Sequence, residues 1–134
     1  MQLTRHTAEE MEVTNRLDPE QSIRGGVQYL NKIYEQFDDL SEPDRMWFTL
    51  AGYNVGLGHV LDAMDIASTK GLDPKKWSAM EKTLPLLIYQ RYYKKTRYGY
   101  ARGTEPVRYV QRIRNYYDIL RRQSLSDPDP SADF

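Results

Sequence analysis

The chain has 134 residues, 40% hydrophobic and 28% charged, the balance of one ordinary globular domain. No apolar run approaches the roughly 20 residues that span a bilayer, and the polar opening carries no signal-peptide pattern. The absence of cysteine excludes disulfides and thiolate metal sites, while leaving the redox compartment open.

Helical spacing dominates from the first residues. Thr4 can cap a short helix through Met11. Asp18-Pro19 is a cap followed by proline at the first helical position, where a missing N–H costs nothing. Ile23, Val27, Leu30, Ile33, Tyr34 and Phe37 then recur at three- and four-residue steps, as on one face of an amphipathic helix. Gly25-Gly26 interrupts that pattern at about 1 kcal/mol per glycine. The pair marks either close backbone packing or a break between two shorter helices.

Ser41-Glu42-Pro43-Asp44 repeats the start signal, with an acidic residue three places after the expected capping serine. Met46, Leu50 and Tyr53 share one helical face, and Trp47, Ala51 and Asn54 share its neighbour. Gly56 and Gly58 are the expected stop. Val60, Met64 and Ala67 predict a further helix to Thr69. Asp73-Pro74 starts a short one around Trp77, and Thr83-Leu84-Pro85 starts another carrying Leu87, Ile88 and Tyr92. "KKTRYGYARG" reads as a polar loop. Thr104 caps the last helix, with Val107, Val110, Ile113, Tyr117 and Leu120 as its apolar stripe. The sequence after Arg122, "QSLSDPDPSADF", lacks periodicity and is expected to be a disordered tail, residues 123–134. No alternating strand pattern competes, so the expected class is an all-α single domain of about six to eight short helices.

The zero net charge conceals an asymmetry. Residues 91–122 hold ten Arg or Lys against two acidic residues, together with many of the eleven tyrosines. A basic, aromatic face of this kind suits phosphate, or a polymer of sugars and carboxylates. It equally suits two halves of one domain attracting each other.

Catalytic groups are scarce. His6 and His59 stand at unrelated positions without zinc-site spacing, and neither serves a recognisable serine motif. No phosphate-cradling glycine loop is present. Glu9, Glu10 and Glu12 have few apolar neighbours, and Glu20, Glu42 and Glu105 fall in first helical turns, where the dipole favours the ionised form. No convincing general acid emerges, and no metal or cofactor is implied.

"AGYNVG", residues 51–56, resembles the Ala-x-Tyr-Asn-x-Gly motif of the lysozyme-like lytic transglycosylases that cleave bacterial peptidoglycan. Three further stretches resemble that family in its own order. "MQLTRHTA" looks like the end of its Gly-Leu-Met-Gln segment. "DPEQSIRGGVQYL" is similar to its next helix start, with Ile23, Gly26, Tyr29 and Leu30 in place. "GTEPVRYVQRI" resembles its late Glu-x-x-x-Tyr-Val element, with Tyr109 as the tyrosine. "RYYKKTRYGYARG" further resembles a membrane-bound branch. The likeness covers about residues 1–122, as the C-terminal part of the catalytic domain.

The resemblance implies a lysozyme-like all-α fold, incomplete at its N-terminus, and a peptidoglycan partner. In the family one glutamic acid protonates the bond between N-acetylmuramic acid and N-acetylglucosamine. The same carboxylate then serves as base while the muramyl 6-hydroxyl closes a 1,6-anhydro ring. It further implies that Gln2 contacts sugar, that Thr7 lies at the cleft wall, and that Tyr53 orients the catalytic carboxyl. Asn54 would hold backbone or a sugar substituent, and Tyr109 would reach the cleft from the last helix.

The family's Glu-Ser precedes the Gly-Leu-Met-Gln segment, so the acid is expected upstream of Met1 and this chain alone is expected to be inactive. A misassigned start or trimming of a longer exported protein accounts for that, and in the membrane-bound branch a solute-binding-like domain also precedes. The parent is expected in the periplasm or at the outer membrane, with membrane attachment only through upstream sequence. Self-association of the truncated chain is a further expectation. The alternatives are a non-catalytic glycan-binding or scaffold domain and, resting only on residues 91–122, a nucleic-acid binder.

Overall fold

A computed structural model describes residues 19–126. The helix expected from Thr4 to Met11, the Asp18 cap and the site candidates Gln2 and Thr7 lie outside the described residues. Among the described residues six α-helices follow one another: α1 (Pro19–Gln36), α2 (Asp44–Val55), α3 (Leu57–Thr69), α4 (Trp77–Thr83), α5 (Gln90–Tyr93) and α6 (Thr104–Ser126). A 3₁₀ helix at Leu84–Ile88 joins α4 to α5. No strand occurs among the described residues, so the all-α class holds.

The glycine pair does not break α1, which runs unbroken through Gly25 and Gly26, both buried. Ile23 and Val27 are instead 52% and 46% exposed. The buried face is the one through Ser22, Gly25, Gly26 and Ile33.

Arg45 locks the end of α1 to the start of α2. Its guanidinium donates to the Tyr34 carbonyl through Nε at 3.1 Å and Nη2 at 2.9 Å, and lies 3.6 Å from the Tyr34 ring centroid. It thus serves one of the carbonyls that a helix end leaves without an intrahelical donor. Ser41 is not the cap of α2. Pro43 occupies that position and makes no side-chain cap bond, and the Ser41 carbonyl accepts from Arg45 N at 3.0 Å.

The core is built around α2, which packs against α1, α3 and α6. Phe48 stands edge-to-face with Phe37 at 5.5 Å and with Trp77 at 5.9 Å. Val60, Ala63, Ala67, Met80, Leu84, Leu87 and Val110 complete a continuous buried cluster. Gly52 lets Ile33 enter, since a Cβ built there would lie 3.1 Å from Ile33 Cγ2.

Three connections differ from expectation. Gly56 alone ends α2, while Gly58 is already the second residue of α3. Asp73 does not cap α4; its carboxylate accepts from Lys75 N at 3.0 Å, shaping a turn before Trp77. The helix expected after Thr83 divides at Tyr89, whose extended backbone separates the 3₁₀ turn from α5.

The apolar stripe of α6 is also only half used. Val110 is buried and Val107 and Ile113 are partly so, whereas Tyr117 and Leu120 are exposed. The helix continues through Ser126, four residues beyond the tail boundary read at Arg122. No glycine or proline intervenes before Pro128, so nothing in the local chemistry stops it sooner.

Gly103 sits directly against the 3₁₀ turn, where an added Cβ would run into the Leu84 carbonyl. Gly71 has φ 77° but open space around its would-be Cβ. Gly103→Ala is therefore expected to destabilise the domain by about 3 kcal/mol, the upper end of the overpacking range. Gly71→Ala costs about 1 kcal/mol, through left-handed strain alone. Urea unfolding of the two variants separates these effects through the midpoint at constant slope.

Candidate functional site

The backbone sets the site at the α2–α3 joint. The last turn of α2 carries Tyr53 and Asn54, Gly56 N donates to Gly52 O at 2.9 Å, and α3 begins at Leu57. Gly56 takes φ 106° and ψ 137°, a conformation that only glycine adopts cheaply. With a single residue between two helices, Asn54 is held at an exposed corner instead of within a packed face.

Tyr53 points the other way and is half-buried. Its ring meets Tyr29 of α1 at 6.0 Å between centroids, tilted by 48°. Tyr109 of α6, also half-buried, lies close enough to act electrostatically on the same phenol. Burial raises the Tyr53 pKa above its usual 10.0, and the Tyr109 and Tyr29 phenols raise it further. Near neutral pH Tyr53 is therefore a firm proton donor, able to give a hydrogen bond to a carboxylate.

Of the five sequence-derived candidates, Tyr53 and Tyr109 come together with Tyr29 where α1, α2 and α6 meet, and Asn54 stands exposed on the same helical turn as Tyr53. Sequence reasoning had counted Tyr29 as a motif position without assigning it to the site. The available signal was the spacing Gly25/Gly26–Tyr29–Ile33, which puts Tyr29 on the close-packed face of α1.

The described glutamates named from the sequence have other attachments, and Glu42 lies before the Pro43 cap of α2, not in its first turn. Glu20 pairs with Arg24 at 3.2 Å, Glu42 accepts from the Tyr34 hydroxyl at 3.0 Å, and Glu105 lies 3.9 Å from Arg108. Among the described residues no group of three or more His, Asp or Glu is placed to hold a metal.

Beyond the joint, Tyr98 covers the start of α3. A Cβ on Gly58 would lie 2.7 Å from the Tyr98 ring, so glycine is what admits it. His59 meets Tyr98 edge-on at 6.5 Å, and its Nδ1 is buried without a hydrogen-bond partner among the described residues.

The sequence that builds this all-α body is matched by a known family. Residues 1–77 fit the family described as the Transglycosylase SLT domain, more than half of the chain, and the chain belongs to that family. Among individual relatives, membrane-bound lytic murein transglycosylase F of Pseudomonas fluorescens Pf-5 is 59% identical over 121 residues, covering 90% of this chain and 25% of the relative. The proteins of the same name from Pseudoalteromonas translucida and Desulfosudis oleivorans are 56% and 55% identical, over 90% and 92% of this chain. The chain spans about a quarter of the length of these relatives.

The raised Tyr53 pKa fixes a sign. The folded state holds that proton more tightly than the unfolded chain, so the stabilisation is intact below pH 10.0 and is lost as pH rises through the raised value. Tyr53→Phe is expected to remove a tyrosinate absorbance step lying above 10.0 and to flatten the loss of stability at that alkaline end. Spectrophotometric titration of both proteins checks it.

Proposed function

We propose that this chain forms one wall of a peptidoglycan cleft, as the C-terminal part of a lytic transglycosylase catalytic domain. In the intact protein that domain cleaves the β-1,4 bond between N-acetylmuramic acid and N-acetylglucosamine. The observation that carries the reading is the convergence of Tyr29, Tyr53 and Tyr109 beside the exposed Asn54. The names of the relatives, lytic murein transglycosylases, support the substrate and the reaction class.

The acid in this reading is a glutamic acid upstream of Met1, and relatives about four times as long leave room for it. Its proton goes to the glycosidic oxygen as the bond to the anomeric carbon breaks. The resulting carboxylate takes the proton of the muramyl 6-hydroxyl as that oxygen bonds to the anomeric carbon. No water is consumed, unlike the usual two-carboxylate hydrolysis. Tyr53, kept protonated by burial, donates a hydrogen bond that holds the carboxylate in position. Asn54 offers donor and acceptor together to a sugar substituent, and Tyr109 adds a second phenol from α6. Gln2 and Thr7 complete the sugar-facing set.

The parent protein belongs, in this reading, to the cell envelope. No helix among the described residues is long and apolar enough to cross a membrane.

The test is digestion of peptidoglycan sacculi by a chain extended upstream through the Glu-Ser found in the family, with products read by mass spectrometry. Anhydromuramyl ends are expected, and Tyr53→Phe is expected to lower kcat about 100-fold, the scale of one lost preorganised donor. Saturable glycan binding without any cleavage would point to a scaffold domain instead.

A further inference from the structure

Tyr98 has one face of its ring fixed and the other open. The fixed face lies over Gly58, where an added Cβ would stand 2.7 Å from Cγ and 2.8 Å from both Cδ1 and Cδ2. Near-equal distances to three ring atoms mean that the phenol lies flat on the glycine; an edge-on approach would not give them. Tyr98 is nevertheless 49% exposed, so its second face looks outward.

The backbone keeps the ring there. Asp62, 2% exposed, accepts from Arg97 N at 3.3 Å and from Tyr98 N at 3.0 Å. The Thr96 hydroxyl donates to Tyr93 O at 2.7 Å and accepts from Gly99 N at 3.0 Å, closing the turn around it. Tyr98 is thus attached to α3 twice, through its amide at Asp62 and through its ring at Gly58. A side chain held in this way loses little further freedom when a ligand meets it. Arg97 Cζ stands 5.5 Å from the ring centroid, against 3.6 Å for the stacked pair of Arg45 and Tyr34. The guanidinium therefore leaves the outer face open and brings hydrogen-bond donors beside it.

This platform adjoins the candidate site. Asn54 and Gly58 stand two residues to either side of Gly56. The His59 imidazole links the hinge to the platform: its Cδ2 lies 3.6 Å from a Cβ built on Gly56, and its ring meets the Tyr98 ring at 71°.

We propose that the outer face of Tyr98 is a sugar-stacking subsite, which takes a β-linked N-acetylhexosamine ring of a glycan strand. The proposal rests on the glycan reading above, and extends it to a loop outside α1, α2 and α6. Equatorial substituents leave only C–H bonds on the flat faces of such a sugar, and those slightly positive hydrogens meet the negative face of the phenol ring. Arg97 donates to the hydroxyl or acetamido oxygens at the sugar's edge. A nucleobase is the rival occupant, since it also has a π-face. The uncharged Asn54 amide across the hinge favours the sugar.

The experiment titrates the full 134-residue chain with chitohexaose, followed by NMR and calorimetry. The Tyr98 ring protons and the amides of residues 96–99 are expected to shift. Tyr98→Ala is expected to weaken binding about tenfold, the upper scale of one aromatic contact. Tyr98→Phe keeps the face and is expected to bind as the parent does. Gly58→Ala keeps the tyrosine but pushes its ring off α3, and is expected to weaken binding about as much as Tyr98→Ala. Circular dichroism is expected to match the parent for all three, because the half-exposed ring has room to move. Unshifted Tyr98 protons in the sugar-bound parent overturn the proposal without any variant. So does a Tyr98→Phe loss as large as that of Tyr98→Ala, which would assign the contact to the hydroxyl. Binding that Asn54→Ala weakens and Tyr98→Ala leaves unchanged overturns the proposal and keeps the glycan reading. The reverse pattern keeps the platform and overturns the corner as a sugar site. Absent sugar binding overturns both, and single-stranded DNA binding lost in Tyr98→Ala would then make the platform a nucleobase site.

Discussion

With φ 106° and ψ 137°, Gly56 passes the chain from α2 into α3 within one residue, and the candidate site is organised by that turn. A longer connection would leave the last turn of α2 free to fray into a loop. Here Gly52 O accepts from Gly56 N, and α3 starts at once. Tyr53 is therefore aimed into the body, towards Tyr29 and Tyr109, while Asn54 is held outward. The same turn sets the direction of α3, hence where Gly58 receives Tyr98 and where Asp62 clamps the loop beyond it. One left-handed backbone position thus aligns two faces that have no side chain in common.

The corner could be read in advance because glycine has a nearly unique role there and because Tyr-Asn is a poor way to finish a helix without a reason. The all-α class was similarly legible, through three- and four-residue spacing sustained across most of the chain. Local details failed where packing overruled propensity. Ile23 and Val27 look like core but are exposed, since the glycine face of α1 turns inward. Ser41 looks like a cap, yet Pro43 takes the position, and Arg45 ties the two helices through a carbonyl. Tyr29 was hidden for the same reason as Ile23: which face of α1 is buried depends on neighbours distant in sequence.

The charge asymmetry has two readings, and the ion pairs and ring contacts of the described residues bear on both. If the basic stretch served mainly to attract the acidic remainder, ion pairs should join the two. Among the described residues the pairs are instead Arg24–Glu20, Lys75–Asp39, Lys76–Asp44 and Arg108–Glu105. Several of the cations stack on tyrosines, as Arg91 does on Tyr89 and Tyr92, and Arg114 lies over Trp47. Aromatic faces hold these guanidinium groups in place without neutralising them.

The last helix is continuous in space but divided in its support. Its first turns are anchored by Pro106 and Val110, both fully buried, whereas residues 115–124 are exposed. An isolated helix of that length is marginal in water, and pairs such as Gln111 with Asn115 at 2.9 Å add only a few tenths of a kcal/mol. Amide hydrogen exchange along α6 would then follow a gradient, slow as global unfolding near Val110 and fast by fraying towards Ser126. The half that carries Tyr109 belongs to the cooperative unit of the domain, and the half beyond it answers to its own local equilibrium.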